Sequence, residues 1–302
     1  MTRSRGLHRR ALLASAASLV ALPLAGIENL SAAPTGAGGG TLTYAVFPEP
    51  TSLVAISTSG GGDRLVSAKV VEGLFTYDFD LKPKPQLALS WSATPDGLEY
   101  TFNLRPNVKW HDGRPFTSAD VAFSLLLVKE IHPRGRATFA NVRAVRTPDP
   151  LTAVVVLSAP APYLVYALAA GETPIVPKHI YETGDARTNP ANQAPIGTGP
   201  FVFKSWAKGS HAVYERNRDY WDAGKPHLDR LVVRFIPDAG ARAAALESGK
   251  VDISGGNPVA LSDLDRLKAL PNLAITTEGN NYQPQQVQLE FNGANRYFKE
   301  QR

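Results

Sequence analysis

The stretch LVVRFIPDAGARAAALESGKVDI, residues 231–253, decides the fold class. LVVRFI is a β-branched run that predicts a strand, and the residues after Asp238 predict a helix. Gly249 stands where a helix C′ glycine is expected, and VDI predicts a second short strand. Strand, helix and strand at this spacing indicate a right-handed crossover and a parallel pair of strands. The sequence therefore predicts an α/β fold.

The residues after this unit predict one more helix and one more strand. Ser262 and Asp265 resemble a capping box for a helix over 261–270, which Pro271 stops. VQLEFN (287–292) predicts a strand, and GANRYFKEQR then reads as a turn and the start of a helix. Neither element could bury its apolar face alone, so we expect the chain to be a fragment of something longer.

The residues before the unit predict short strands and two helices. Strands are expected at 40–47, 98–105, 107–110 and 152–158, a hairpin at 196–217 that turns at Lys208-Gly209, and helices at 64–78, ended by Gly73, and 161–170. The loop 48–63 contains three successive glycines, Gly60, Gly61 and Gly62. They either let the backbone approach a partner closely or simply make a flexible bend.

Composition excludes several classes of function. The chain has no cysteine, which excludes disulfides, thiolate chemistry, Cys-ligated zinc and a lipidated N-terminal cysteine. Of the net charge of +5, residues 1–33 carry +3, from four arginines and one glutamate, which leaves +2 for the remainder. That remainder has no basic run interleaved with aromatic residues, so nucleic-acid binding is not expected.

The N-terminus is typical of an export signal. MTRSRGLHRR is a basic n-region, ALLASAASLVALPLAG is a short apolar h-region, and cleavage is expected within 32–37. Arg9-Arg10 followed by Ala-Leu-Leu is similar to a twin-arginine signal, although basic pairs are common in n-regions. A membrane anchor is the alternative. We expect residues 1–33 to direct the mature protein to the periplasm.

The segment WHDGRPFTSADVAF (110–123) places a histidine beside acid and hydroxyl side chains, as a catalytic or metal site would. Local rules give these residues backbone roles instead: Asp112-Gly113 is a tight-turn pair, and Thr117 with Asp120 predicts a helix cap. The other histidines are scattered without metal-ligand spacing. The GTG of IGTGPF (196–201) reads as a turn into a β-ribbon. No nucleophile motif or phosphate loop occurs, so we expect no catalytic residue, metal or cofactor.

Seven blocks, in order, resemble the extracytoplasmic solute-binding proteins of family 5, the peptide- and nickel-type receptors of ATP-driven importers. They are VVEGLFTYD (70–78), PQLALSW (85–91), DGLEYTFNLRPNVKWHDGRPFTSADVAFSL (96–125), PIGTGPFVF (195–203), RNRDYWDAGKPHLDRLVVRFIPD (216–238), ALESGKVDI (245–253) and VQLEFN (287–292). The block 96–125 is the most specific of them.

The resemblance implies a periplasmic-binding-protein-like fold of two lobes (type II, class C-like) that close on a solute. It assigns 34–80 and 195–275 to the core of the first lobe, 81–194 to an inserted subdomain, and 276–302 to the start of a second lobe that is largely missing.

The resemblance also implies the ligand-binding residues. They are Ser59, Gly60, Gly61 and Gly62 after the first strand, Ser254, Gly255, Gly256 and Asn257 after the ALESGKVDI unit, and Tyr282 and Gln283 at the entry to the second lobe. Exposed backbone groups at such loops suit an extended peptide, because main-chain bonds give affinity that is independent of side-chain identity. For each glycine cluster, a plain flexible loop is the alternative.

The expected function is non-catalytic: a monomeric receptor that presents di- or oligopeptides to the permease of an ABC importer in the inner membrane. Within the binding class, a nickel chelate, haem, an opine or an oligosaccharide are alternative solutes. A secreted hydrolase using the acid pair Asp219/Asp222 or Asp263/Asp265 is the distant alternative, since solvated loop and helix-start charges explain both pairs.

Overall fold

The computed structural model describes residues 39–256 and 258–276. Within them the strands are β1 (Thr41–Val46), β2 (Phe75–Tyr77), β3 (Pro83–Pro85), β4 (Ala88–Ala93), β5 (Glu99–Leu104), β6 (Val142–Asp149), β7 (Thr152–Leu157), β8 (Phe201–Ala207), β9 (His211–Arg216), β10 (Arg230–Phe235) and β11 (Ile253–Ser254). The α-helices are α1 (Gly61–Ser67), α2 (Ser118–Ile131), α3 (Gly135–Thr138), α4 (Lys178–Tyr181), α5 (Ala239–Glu247) and α6 (Leu264–Lys268). Short 3₁₀ turns lie at Leu164–Ala167, Pro190–Asn192 and Leu261–Asp263.

One sheet has five strands in the order β11-β1-β10-β9-β8. The predicted strand–helix–strand unit is confirmed as β10, α5 and β11, with Asp238 accepting a hydrogen bond from the Ala241 amide at 2.7 Å and Gly249 at φ +67°. The two strands do not pair with each other, however. Both pair in parallel with β1, which lies between them, because the unit adds to a strand laid down about two hundred residues earlier.

The second larger sheet has four antiparallel strands in the order β4-β5-β7-β6 and comes entirely from residues 88–157. Helix α2 packs against it through an apolar stripe that includes Val121, Leu125 and Val128. The predicted cap of α2 is present: the Thr117 amide donates to the Asp120 carboxylate at 2.9 Å. The predicted strand 107–110 forms only an isolated bridge between Lys109 and Pro115.

Three predicted helices are shorter than expected. The apolar spacing over 64–78 extends past the helix because α1 ends at Ser67. The backbone carbonyls of the residues that follow form hydrogen bonds with distant segments instead of continuing the helix. The Val70 carbonyl accepts from Gly199 N at 2.9 Å, and the Glu72 carbonyl accepts from Ile175 N at 2.9 Å. The segment 161–170 forms only a 3₁₀ turn. The expected capping box of 261–270 is absent, and that segment splits into a 3₁₀ turn and α6.

Glu72 lies at the junction between the two sheets with no exposed surface. Its carboxylate accepts four hydrogen bonds, from Tyr220 Oη (2.8 Å), Gln86 Nε2 (3.1 Å), Thr198 Oγ1 (2.8 Å) and Trp221 Nε1 (2.9 Å). Burial raises the pKa of the Glu72 carboxyl, and the four hydrogen bonds oppose that shift. One carboxylate thus joins segments from before and after the residues of the four-stranded sheet.

The GTG segment passes so close to the chain after α1 that no side chain fits there. A Cβ on Gly197 would lie 1.8 Å from the Val70 carbonyl oxygen, and one on Gly199 would lie 2.6 Å from the same atom. The prediction of a turn leading into a β-ribbon is confirmed, since β8 begins at Phe201 and pairs with β9.

Candidate functional site

Three parallel strands end at one edge of the five-stranded sheet. Because β10, β1 and β11 run in the same direction, the chain leaves all three on the same side, after Phe235, Val46 and Ser254. In open α/β sheets, ligands bind in the crevice outside the carboxyl ends of parallel strands. We call this edge, with the loops 47–60 and 236–238 and with Gly255, Gly256 and Pro258, the strand-end rim.

The loop after β1 is held by one buried carboxylate. Asp63, in the first turn of α1, accepts hydrogen bonds from Thr51 N at 2.8 Å, Ser52 N at 2.7 Å and Thr51 Oγ1 at 3.0 Å. Its other oxygen accepts from Thr58 Oγ1 at 3.2 Å. The loop therefore has a defined course, and the acid that closes the GGGD stretch is what fixes it.

The predicted glycine triplet is the start of a helix rather than a flexible bend. Gly60 is the N-cap of α1, and a Cβ there would lie 2.0 Å from the side-chain oxygen Oδ2 of Asp63. Gly61 is the first helical residue, with nothing within 4 Å of the place its Cβ would occupy. Gly62 is buried, and a Cβ there would lie 2.3 Å from the Pro48 carbonyl oxygen. The close approach that glycine permits is therefore to the protein's own backbone at Gly62, while Ser59, Gly60 and Gly61 face outward or are half-buried.

The second predicted loop begins inside β11. Ser254 donates through its hydroxyl to the Ala45 carbonyl at 3.0 Å. A Cβ on Gly255 would lie 3.2 Å from the Tyr44 hydroxyl, and Gly256 has φ +68°. Asn257, Tyr282 and Gln283, like the strand 287–292 and the export signal 1–33, lie outside the described residues.

A cavity of about 390 Å³ opens near the far end of the loop after β1. Tyrosine and phenylalanine side chains from distant parts of the chain line it, together with four polar side chains. The lining residues are Tyr77, Leu81, His132, Arg134, Thr138, Phe139, Tyr163, Tyr166, Ala167 and Glu172. Tyr163 and Tyr166 are 46% and 59% exposed, while Phe139 is buried. We call this feature the aromatic cavity.

Two guanidinium groups in and beside the aromatic cavity meet at the Glu172 carboxylate. Glu172 accepts from Arg64 Nη1 at 2.8 Å and lies 3.3 Å from Arg134 Nη2. His132 Nε2 is 3.2 Å from the Thr58 carbonyl, to which it donates, and burial lowers the pKa of His132, so its ring is neutral near pH 7. The cavity therefore combines apolar surface with a half-exposed guanidinium, as a site for an organic anion would.

Sequence patterns missed the aromatic cavity entirely. Tyr77, Arg134 and Tyr166 belong to separate elements that no local spacing connects. His132 contacts the loop after β1, but that contact exists only in three dimensions, so the sequence held no signal for the cavity. A cavity formed between elements leaves no periodic trace in any one of them.

The WHDG segment connects the four-stranded sheet to the GTG segment. The His111 amide donates to the Gly197 carbonyl at 2.9 Å, and His111 Nε2 donates to the Gly199 carbonyl at 2.9 Å. Asp112 lies 2.7 Å from His179 Nε2. Burial lowers the pKa of His111. These side chains have structural partners, in agreement with the interpretation that the segment shapes the backbone.

The acidic pairs also have structural partners. Asp222 accepts from Lys225 Nζ at 2.8 Å, and Asp263 lies 3.1 Å from Arg266 Nη2. Within residues 39–256 and 258–276, no three His, Cys, Asp or Glu side chains come close enough to hold a metal ion. None of the helices in these ranges combines the length and the hydropathy that crossing a bilayer requires.

Comparison with known proteins places residues 82–302 on the family model described as bacterial extracellular solute-binding proteins, family 5 middle. Protein XP55 of Streptomyces lividans is 33% identical over 91% of this chain and 48% of its own length. The oligopeptide-binding protein AppA of Bacillus subtilis is 30% identical over 87% of this chain and 48% of its own length. The chain thus spans about half the length of the curated relatives it matches.

Solved structures agree with these matches. The structure of AppA with a nonapeptide superposes with a TM-score of 0.71 at 28% identity, over 78% of this chain and 47% of AppA. The structure of the periplasmic binding protein AgaA from A. tumefaciens R10, with agropinic acid, superposes with a TM-score of 0.69 at 36% identity, over 77% of this chain and 46% of AgaA. The described fold is therefore the mixed α/β fold of periplasmic binding proteins.

Proposed function

The chain belongs to family 5 of the bacterial extracellular solute-binding proteins, and from this premise we propose that it forms one wall of a receptor that delivers di- or oligopeptides to an ABC importer. Members of this family are transport receptors, not enzymes. The work of such a receptor is a difference in solute affinity between its open and closed states, and no covalent step is required.

The observation that carries the proposal is the aromatic cavity beside the loop after β1. Its two exposed tyrosines offer apolar faces to side chains of varied shape, and Arg134 offers a guanidinium to a carboxylate. Every peptide has a C-terminal carboxylate, so this pairing does not depend on sequence. The strand-end rim supplies further backbone groups at Ser59, Gly60, Ser254 and Gly255.

The sheet topology supports the proposed division into lobes. The five-stranded sheet draws on 41–46 and 201–254, as a lobe core made of 34–80 and 195–275 would. The four-stranded sheet draws only on 88–157, within the proposed insert 81–194. In this proposal residues 276–302 begin a second lobe, which supplies the opposite wall of the cleft.

The proposed route outside the cytoplasm is the N-terminal signal 1–33, with Arg9-Arg10 as a possible twin-arginine pair. The family acts outside the cytoplasm, and its description as extracellular supports this part of the proposal. The permease of the importer in the inner membrane is the proposed partner of a monomeric receptor.

An opine is the second candidate solute. AgaA, whose structure holds agropinic acid, is 36% identical to this chain, against 28% for the AppA structure. An opine also carries carboxylates, so Arg134 would serve either solute, and identity alone does not separate the two.

The experiment that tests the proposal is calorimetry of the full-length protein with a nonapeptide and with agropinic acid as probes. We expect one probe to bind with micromolar affinity or better and to be released chemically unchanged. The variant Arg134→Gln should weaken that binding about tenfold, the range for a charged hydrogen bond. Arg136→Gln, an exposed arginine two residues away, is the matched control and should leave the affinity unchanged.

Two results would contradict the proposal. Cleavage of the nonapeptide, detected by mass spectrometry, would support the hydrolase alternative. Failure of both probes to bind, together with native mass spectra of the purified protein that show no retained small molecule, would remove the receptor function.

A further inference from the structure

One guanidinium contacts all three loops of the strand-end rim. Arg242 Nη1 donates to the carbonyls of Ile236, at 2.6 Å, and Pro237, at 2.7 Å, which follow β10. Its Nε donates to the carbonyl of Pro258, in the segment after β11. Its guanidinium carbon lies 4.9 Å from the ring centroid of Phe47, the residue directly after β1.

The charge of Arg242 is buried without an acidic partner among residues 39–256 and 258–276. The residue is 5% exposed, and it contacts neutral carbonyls and an aromatic ring. Arg266, on α6, contrasts with it, because it is half-exposed and pairs with Glu247 and Asp263. Burying a cation without an anionic partner costs free energy. The hydrogen-bond geometry of the guanidinium, rather than ion pairing, therefore explains why an arginine is found at this position.

That geometry is specific to arginine. The planar guanidinium has five N–H donors directed outward in fixed directions, which lets a single group reach carbonyls on two separate loops and lie against a ring. A lysine ammonium is a point charge on a flexible stem and cannot hold the same three loops together.

We infer that Arg242 is a positioning residue of the solute site, which holds the loops after β10, β1 and β11 in one arrangement. The inference rests on the proposed function, in which those loops contact solute. Arg242 also keeps Phe47, 52% exposed, displayed at the rim beside a positive charge. That combination favours a solute whose apolar and anionic groups are adjacent.

Amide hydrogen exchange of the solute-free protein tests the inference, with Arg242→Lys compared against Arg266→Lys as the matched control. In Arg242→Lys, amides of residues 252–256 should exchange at least tenfold faster, while those of β8 and β9 should stay within twofold of the unmodified protein. Arg266→Lys should leave both regions unchanged. Equal acceleration in all strands would reveal a general stabilising role and overturn the inference, as would no local acceleration at all.

A second variant keeps the test decisive if Arg242→Lys does not fold. Phe47→Leu removes only the ring contact at a half-exposed position. It should accelerate amide exchange at 252–256 about threefold, because Arg242 then holds the three loops less firmly. Phe79→Leu, at a 68% exposed aromatic, is its control. Unchanged exchange in Phe47→Leu would then count against the inference.

Binding separates this inference from the proposed function. If the nonapeptide or agropinic acid binds, Arg242→Lys should raise its Kd at least tenfold and Arg266→Lys should not. If neither probe binds the unmodified protein, the proposed function fails, and the exchange pattern alone decides whether Arg242 positions the loops. An unchanged Kd in Arg242→Lys would overturn the role at the solute site.

Discussion

Substitution of Gly197 by alanine tests the contact that joins the two sheets. The added Cβ would lie 1.8 Å from the Val70 carbonyl oxygen, where ordinary contact begins near 3.4 Å. Because that oxygen belongs to the backbone, no side-chain rotation can relieve the overlap, and the two segments must separate by roughly 1.5 Å.

Three hydrogen bonds depend on that spacing. They join His111 N to the Gly197 carbonyl at 2.9 Å, Gly197 N to His111 Nδ1 at 3.3 Å, and Gly199 N to the Val70 carbonyl at 2.9 Å. At about 1 kcal/mol each, their loss lowers the free energy of unfolding by about 3 kcal/mol. For a chain of this size, with a urea dependence of about 3 kcal/mol per molar, the midpoint should fall by about 1 M.

The assay is urea unfolding followed by tryptophan fluorescence, since the chain has four tryptophans and Trp110, adjacent to His111, is buried. Gly61→Ala is the matched control: nothing lies within 4 Å of its Cβ position and its backbone is helical, so the midpoint should stay or rise slightly. If Gly197→Ala lowers the free energy of unfolding by less than about 1 kcal/mol, with an unchanged urea dependence, the close-contact argument is refuted.

Three further outcomes follow from buried polar groups. Glu72→Ala leaves four donors without their acceptor and should lower the free energy of unfolding, measured with urea, by about 3 kcal/mol. Glu130→Ala, at an exposed residue of α2, is the control and should change it by less than about 0.5 kcal/mol. Equal effects of the two substitutions would contradict the role of Glu72 at the junction of the sheets. Asp120→Ala removes the acceptor of both Thr117 N and Lys178 N and should cost about 2 kcal/mol, measured the same way; a neutral result would show that the cap is dispensable. Because burial lowers the pKa of His111, the unfolded chain binds a proton at this residue more readily than the folded chain. The contribution of neutral His111 to the free energy of unfolding is therefore complete above about pH 6.5 and is lost as the pH falls below that value. The urea midpoint should therefore drop between pH 7.5 and pH 5.5 by less in His111→Gln than in the unmodified protein, and identical drops would count against this assignment.

Sequence patterns located the elements whose signals are local. The hairpin around Lys208-Gly209, the cap at Thr117 and Asp120, and the strand, helix and strand of 231–253 all depend on neighbours within a few residues, and all of these elements are confirmed. The pairing expected between the two strands of 231–253 is wrong, because each pairs with β1. The helix expected to run up to Gly73 stops at Ser67 instead, because the carbonyls of Val70 and Glu72 accept hydrogen bonds from residues more than a hundred positions away, which no local rule can include.

The candidate site shows the same division. The loop residues Ser59, Gly60 and Ser254 lie at the ends of predicted strands and helices, so their places follow from the order of elements along the chain. The aromatic cavity, the four donors on Glu72 and the three loops on Arg242 each unite residues that are far apart in sequence.

By itself, the sequence determined the α/β class and the backbone roles of the WHDG segment, because hydrophobic period, caps and turns act between near neighbours. The family followed from a resemblance carried by whole blocks of sequence, and not from these local rules. Only the tertiary structure decided that β1 separates β10 from β11, that Glu72 is buried, and that Arg242 meets Phe47. Such contacts arise when strands laid down far apart in the chain pair side by side. The free energy that selects them comes from burial and hydrogen bonding across the whole core, which no single segment contains.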